Sequence, residues 1–304
     1  MRKNTVKKMA LVFRINGNGG GSSTCADGAW VTGSAVGTYA LEMNAGGIHR
    51  YSGDGATAGG VSVPSGSGLP LGATVSSAGD GPAFSVAAWI YPSKLYDGTL
   101  DESANWRIIA ARDGAGTTGY NGWKLAMDGA RGRNGQISWS PGGYASSGYN
   151  GRALSADNAI EVNKWHLVVG IWDPSEVTNK VKMWIYKEGA GSTLVQTSYS
   201  NLTFTPGPGD ENIGIGGWDA YENDNHIFGW MGKIDDVAIW NVALDSGSVN
   251  NLWNNGNGAA ATTVSSSNIS AYYSFEEGAG NNTVIDRSGN GHTGTLLNLD
   301  SGSC

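Results

Sequence analysis

The sequence predicts an all-β fold of two antiparallel sheets packed face to face. Three observations predict it. The centre of the chain divides into short segments with apolar residues at alternate positions, the two-residue period of a strand. Trp165, Leu167, Val169 and Ile171 share one face of such a segment, and Val181, Met183 and Ile185 share a face of another. Clusters of Gly, Asn, Asp and Ser separate the segments, which is turn chemistry. No stretch sustains a helical period. Two sheets joined through such apolar faces make a sandwich about 10 Å thick.

Composition agrees. Among 304 residues there are 49 Gly and only 8 Pro, more than twice the average Gly share of about 7%. No G-X-Y period accompanies them, so the chain is not collagen-like. Charged residues make up 15%, against a usual share of about 25%. Twelve Trp and twelve Tyr supply bulky core material. A net charge of −7 argues against nucleic acid as a partner, because phosphate binding needs a basic surface. It leaves cations and neutral glycans open. No segment approaches the roughly 18 apolar residues of a membrane span.

Residues 1–24 read as an N-terminal arm, with residues 25–304 as the sandwich. The arm holds one short strand candidate, Leu11 to Ile15, followed by NGNGGGSST, a linker composition. Its apolar run, Met9 to Phe13, is too short for a secretory signal, and docking of the arm on a partner is favoured over disorder. Short strands follow at Tyr39–Met43, Gly46–Ser52 and Val61–Val63, amid Gly- and Ser-rich loops. The regular half contains strand candidates Ala83–Tyr91, Arg107–Arg112, Gly122–Met127, Gly135–Ser140, Trp165–Trp172, Val181–Tyr186, Thr193–Thr197, Asn212–Gly216 and Gly229–Trp240. Asp245 to Asn254 reads as one short helical turn. A linker follows, and Ala271 to Asn298 reads as a terminal strand pair; a second repeat cut short is the alternative, and fewer than 50 residues are too few to bury a core alone.

The stretch Phe228 to Asp245, FGWMGKIDDVAIWNVALD, organises the rest. Ile234, Val237 and Ile239 are its apolar positions, and the step from Ile234 to Val237 breaks alternation, which predicts a β-bulge near Asp235 and Asp236. Burying an unpaired charge is costly. A bound cation or a solvated strand face would account for the two carboxylates.

Two loops carry the chemistry of a binding site. Trp218, Asp219, Tyr221, Glu222, Asn223, Asp224, Asn225 and His226 fall within nine residues. Aromatic faces stack on sugar rings, while Asn and Asp hydrogen-bond to hydroxyls, and loops on a rigid β scaffold are where binding sits. An acidic surface loop with one buried Trp explains the same residues. The second loop, Gly142 to Arg152, offers Tyr144, Tyr149, Asn150 and Arg152. The four His are scattered without H-x-x-x-H or H-E-x-x-H spacing, and His166 reads as a strand residue. Gly-rich strings such as Gly17 to Gly21 lack a βαβ context.

Three motifs carry a resemblance. The pattern G-x-I-D-D-V-x-I-W-N-x-A-L at Gly232 to Leu244 resembles the closing strand of laminin-G-like domains in the concanavalin A-like jelly-roll superfamily. Phe84 to Ile90 resembles that family's early F-S-V-x-x-W-I strand, and Trp165 to Val169 its central W-x-x-V-V strand. The order and spacing match over about residues 80–255. Ala271 to Asn298 resembles a further family element, here placed after the signature strands instead of before them.

The resemblance implies a concanavalin A-like jelly roll and a structural calcium held by Asp235 or Asp236; Asp286 is a weaker candidate, since an Asx turn explains it equally well. Jelly rolls bring their termini together, which admits a Cys25–Cys304 disulfide; two free thiols stand equally with it. The E-x-D-x-E carboxylates of the superfamily's glycosidases and the Q-I/V-H element of its lyases are missing, so the chain reads as non-enzymatic. Laminin-G-like domains mostly bind glycans or proteins. Two functions are expected. The first is a virion surface protein, a phage capsid decoration or fibre protein attached to a capsid or tail protein through the arm. The second is a secreted or cell-surface carbohydrate-binding module. Homo-oligomerisation stays open in both.

Overall fold

The structure is a computed structural model that describes residues 30–32, 34–43, 60–76, 79–95, 107–114, 121–128, 134–142, 151–197, 212–217, 229–278 and 281–297. Its strands in chain order begin with β1 (Trp30–Thr32), β2 (Tyr39–Met43), β3 (Gly60–Val63), β4 (Val75–Ser76), β5 (Gly79–Asp80) and β6 (Phe84–Pro92). The central set is β7 (Arg107–Gly114), β8 (Asn121–Met127), β9 (Ile137–Ser140), β10 (Ala153–Leu154), β11 (His166–Trp172), β12 (Val181–Lys187) and β13 (Ser192–Thr197). The chain closes with β14 (Ile213–Ile215), β15 (Gly232–Trp240), helix α1 (Ser246–Trp253), β16 (Ile269–Tyr273), β17 (Thr283–Val284) and β18 (Gly294–Leu297).

The strands form two antiparallel sheets and a small β4–β5 pair. Sheet A runs β1-β2-β15-β6-β11-β12-β13, with β16 alongside the far half of β15. Sheet B runs β10-β9-β8-β7-β14-β3-β18-β17. The segment from residue 269 onward therefore contributes to both sheets: β16 pairs with β15 and β18 pairs with β3. Among the described residues no helix is long and apolar enough to cross a membrane.

The core between the sheets is aromatic and aliphatic. Phe84, Val86, Ala88 and Ile90 of β6 meet Trp123, Leu125 and Met127 of β8 and Ile137 and Trp139 of β9. Phe84 sits edge-on to Trp139 at 5.7 Å between ring centroids. Gly170 of β11 lies beneath Trp139, where an added Cβ would come within 2.3 Å of the indole.

A second apolar layer covers the outer face of sheet A. Ala87, Trp89, Leu167, Val169, Ile171 and Trp240 pack against Leu244, Val249 and Leu252 at α1 and against Val264 beyond it. Trp89 stacks on Trp253 at 5.1 Å, and Trp240 Nε1 donates to the Val264 carbonyl at 3.0 Å. The stripe Leu167, Val169, Ile171 thus faces α1 and not sheet B. Strand β11 meets sheet B through Val168, Gly170 and Trp172. Both faces of this strand are buried, so alternation alone does not choose between them.

Helix α1 spans eight residues, longer than the single turn expected. Asp245 caps it, accepting from Ser248 N at 2.7 Å, and Asn254 ends it in the left-handed conformation. Those two side chains suit their positions: a carboxylate satisfies an orphan N–H at the first turn, and Asn tolerates positive φ. Ser85 of β6 fixes the approach to the helix, donating to Val242 O at 2.9 Å and accepting from Leu244 N at 3.0 Å.

Candidate functional site

The bulge expected at Asp235 and Asp236 is present. The register of β15 against β6 shifts between Asp235 and Ala238, and Asp236 has φ of 45°, a left-handed conformation that few side chains adopt. Both carboxylates are buried, at 0% and 5% exposure, so a solvated strand face does not account for them. Asp235 Oδ2 accepts from Ala35 N at 2.8 Å and Oδ1 from Asp236 N at 2.9 Å. The Asp236 carboxylate accepts from the Tyr272 hydroxyl of β16. Glu276, close by, accepts from Thr38 N at 2.6 Å and Tyr39 N at 3.1 Å. The loop between β1 and β2 is therefore held by carboxylates from the other end of the chain.

Burial, and then the charge of Asp236, pushes the Asp235 carboxyl well above the usual carboxylate range, against N–H groups that pull it down. Burial also raises Asp236, to about 7, with the Glu276 charge adding to the rise and the Tyr272 hydroxyl opposing it. These are the directions expected of acids withdrawn from water.

Asp286 closes an Asx turn. Burial pushes its carboxyl up, but hydrogen bonds from Ser288, His292 and Tyr272 outweigh this and leave it below its ordinary value. Oδ1 accepts from Ser288 N at 2.8 Å and Tyr272 N at 3.0 Å, and Oδ2 from His292 N at 2.9 Å. Calcium needs six to eight oxygen ligands. Asp235 and Asp286 instead meet the positive ends of N–H dipoles, a donor set that fits a structural carboxylate and not a calcium shell. Among the described residues no group of three or more His, Cys, Asp or Glu is arranged to hold a metal.

His166 is buried in β11. Its Nε2 accepts from Glu161 N at 3.1 Å, and its Nδ1 lies 2.9 Å from the Lys164 carbonyl. Burial lowers its pKa to about 4. The ring is neutral and committed to the backbone, as expected of a strand residue.

The outer face of sheet B differs in kind from that of sheet A. Because Trp123, Leu125, Met127, Ile137, Trp139 and Ala153 point into the core, alternation turns Lys124, Ala126, Asp128, Gln136, Ser138, Ser140 and Arg152 outward. Arg152 Nη1 lies 2.7 Å from Asp128 Oδ2, with both side chains buried. Ser138 is in register with Ala126, which is in register with Ile108. All three are buried, and neither apolar cluster includes them. Ser138 Oγ and Gln136 Oε1 are enclosed without a hydrogen-bond partner among the described residues.

Of the residues expected to bind ligand, Trp218, Asp219, Tyr221, Asn223, Asp224, His226, Tyr144 and Tyr149 lie outside the described residues, as do Cys25 and Cys304. The strands that anchor the two loops are described. β9 runs antiparallel to β8, β8 to β7, and β7 to β14. The loop after β9 therefore leaves sheet B at one end of its strands, and the loop after β14 leaves at the opposite end. Asp128, Gln136 and Ser138 were not singled out in the sequence. Their only signal is that most outward steps between Trp123 and Trp139 are polar, Ala126 excepted.

A family model for the concanavalin A-like lectin/glucanases superfamily matches residues 66–250. No curated protein matches the sequence. Among solved structures, a Bacteroides ovatus protein provisionally described as carbohydrate binding is similar at 17% identity and a TM-score of 0.45, covering 79% of this chain and 58% of that one. Tailspike protein 2 of an Escherichia coli O157:H7 bacteriophage is similar at 13% identity and a TM-score of 0.42, covering 76% and 32%. Domain 4 of an extracellular arabinanase from Geobacillus stearothermophilus, in complex with arabinotriose, is similar at 15% identity and a TM-score of 0.38, covering 76% and 81%. The chain thus spans less than two thirds of the first two proteins.

Proposed function

The chain belongs to the concanavalin A-like lectin/glucanases superfamily, and from that premise we propose that it is a non-catalytic, glycan-binding protein whose binding surface lies on sheet B. One observation carries the reading. The outer face of sheet A is apolar and sealed under α1, whereas the outer face of sheet B carries polar side chains and a buried Arg152–Asp128 pair. Polar side chains borne on a rigid β scaffold are suited to recognising hydroxyl groups. The described carboxylates favour binding over hydrolysis. Asp235, Asp286 and Glu276 accept from backbone amides and Asp236 from a tyrosine hydroxyl, so these four are engaged in holding the fold.

The test is a panel of immobilised neutral and acidic oligosaccharides probed with the whole chain, with sugar release followed in parallel. Retention on some members without cleavage is the expected result. Binding of none, or turnover of any, overturns the reading.

The finer reading is display on a virion, with residues 1–24 attaching the sandwich to a capsid or tail protein. The weakly charged, Gly-, Ser- and Asn-rich composition supports it. Density-gradient fractionation of the native source, with mass spectrometry of each fraction, tests it. Co-sedimentation with particles at fixed stoichiometry is expected, and recovery only in soluble or envelope fractions overturns it in favour of a secreted or cell-surface module.

A further inference from the structure

We propose that the protein forms a two-fold dimer along β13, the edge strand of sheet A, which pairs with β13 of a second copy. This goes beyond the glycan-binding reading and does not depend on it. A sheet edge is a row of unpaired N–H and C=O groups. Folded proteins blunt such edges with short strands, charges, proline, bulges or a covering segment. Among the described residues the other sheet ends are blunted. Sheet B ends in β10 and β17, of two residues each, and sheet A begins with β1, of three. The far side of β16 is covered by the chain that follows it. There Tyr272 N donates to Asp286 Oδ1, Arg287 N donates to Tyr272 O, and Asn290 Nδ2 donates to the carbonyls of Ile269 and Ser270.

β13 has none of these devices. It runs for six residues, Ser-Thr-Leu-Val-Gln-Thr, without a charge or a proline, and its register against β12 is unbroken. Ser192, Thr193, Leu194 and Gln196 are exposed. Leu194, at 39% exposure, is the one large exposed hydrophobic among the described residues that lies in a strand.

The hydrogen-bond pattern fixes how two copies meet. Asp173 N donates to Lys180 O at 2.8 Å, and Glu188 N to Trp165 O at 3.0 Å. Even-numbered residues of β12 therefore turn their backbone groups toward β11, and odd-numbered ones toward β13. Through the register, Thr193, Val195 and Thr197 face β12 in this way, so Ser192, Leu194 and Gln196 turn N–H and C=O to the open edge. Antiparallel self-pairing about an axis at Leu194 uses all three. Leu194 meets its own counterpart, and Ser192 meets Gln196 of the partner subunit. Two bonds for each of three pairs make about six new backbone bonds. No charged side chain opposes another across the join, as stable cross-strand pairs require. Leu194 is in register with the half-buried Trp184, which packs on the outer layer of sheet A, so the join continues an apolar row from one copy into the other. A second copy suits this edge because the strand is complementary to itself. The contact uses the one long edge of each copy, so assembly closes at two. The axis is normal to the joined sheet, and both copies carry sheet B on the same side of it.

Sedimentation equilibrium of the full chain tests this, with Leu194→Lys and Leu194→Glu alongside, each checked for an unchanged far-ultraviolet circular dichroism spectrum. Wild type is expected to form dimers and nothing larger. Each variant sets like charges face to face on the axis and is expected to associate at least about 10-fold more weakly. An equimolar mixture of the two variants is expected to restore the dimer, since only on the axis does a residue meet its own counterpart; restoration also shows that both are folded. A monomeric wild type overturns the proposal, as does a dimer that both variants leave intact. A monomer whose Leu194 amide is protected from hydrogen exchange overturns it in favour of a segment of the same chain. Weakening in both variants without rescue on mixing overturns the axis at Leu194. Oligosaccharide retention, scored separately, bears on the glycan reading alone.

Discussion

The hydroxyl of Tyr272 donates to the carboxylate of Asp236 in the buried space where β16 lies against β15. This contact joins a bulged strand to the strand that completes its sheet, and it lies beside a carboxyl whose titration burial has shifted. The Asp236 carboxyl is raised from 3.8 to about 7 in the folded state. Folded protein therefore binds more protons than unfolded protein between about pH 4 and 7, and stability from this group falls as pH rises through that window. Asp236→Asn is expected to lessen the fall, leaving the share that the raised Asp235 carboxyl contributes. Urea unfolding of both proteins at pH 4.5 and 8 measures it. An identical pH difference in wild type and variant would show that Asp236 contributes none of it.

His166 acts in the opposite direction. Its folded pKa is lowered from 6.5 to about 4, so the unfolded chain takes up the proton first and stability is lost as pH falls from about 6.5 toward 4. His166 opposes the two raised carboxyls of Asp235 and Asp236, and the wild-type profile is expected to be flatter than that of His166→Gln. His166→Gln should steepen the Asp236 slope. The extra loss of backbone hydrogen bonds should lower stability at every pH by about 1–3 kcal/mol.

Removing the Tyr272 hydroxyl leaves Asp236 buried without that donor. Tyr272→Phe is expected to cost about 1–3 kcal/mol at pH 8 and less at pH 4.5, where the acid is neutral. Equal losses at both pH values would argue that ring packing alone holds Tyr272.

Gly170 has no room for a side chain beneath Trp139. Trp139 is also fixed there, since its Nε1 donates to Ile171 O at 3.1 Å. Gly170→Ala is expected to destabilise the sandwich by about 1–3 kcal/mol through overpacking, visible as a lower denaturation midpoint. Gly189, whose Cβ would meet nothing within 4 Å, has a φ of 74° and so makes an imperfect control; Gly191, equally open and without positive φ, should tolerate alanine with little change.

Excess EDTA is expected to leave the melting temperature unchanged, because the donors around Asp235 and Asp286 are amides. A fall of several degrees would return calcium to this fold, with Asp236 as the ligand to test next by substitution.

The bulge was legible because two carboxylates interrupt an alternating apolar strand, and little else in a sequence produces that. The central strands were legible for the same reason, as period-two segments bounded by turn residues. The orientation of β11 was not. Leu167, Val169 and Ile171 look like a core stripe, and they are one, but the core they enter lies under α1. Val168 and Trp172 supply the other. A strand buried on both faces loses the polar side that would orient it. The Asp128–Arg152 pair was hidden for a different reason. Its members sit in different strands, and no local spacing links a lone Asp at the end of β8 to an Arg before β10.

The last strands of the chain occupy positions that the earlier ones leave open. β3 has β14 on one side and waits for β18 on the other, and the far half of β15 waits for β16. While the chain is being synthesised, residues 269–297 emerge after β1 to β15, so for that interval two apolar sheets carry unpaired ladders. Such edges are templates for association with other chains. Until residues 269–297 arrive, the sandwich is nearly complete but sticky, and those residues decide when it becomes a well-behaved particle. Variants lacking residues 269–297 should fail by clumping during expression, long before any loss of ligand recognition could be seen.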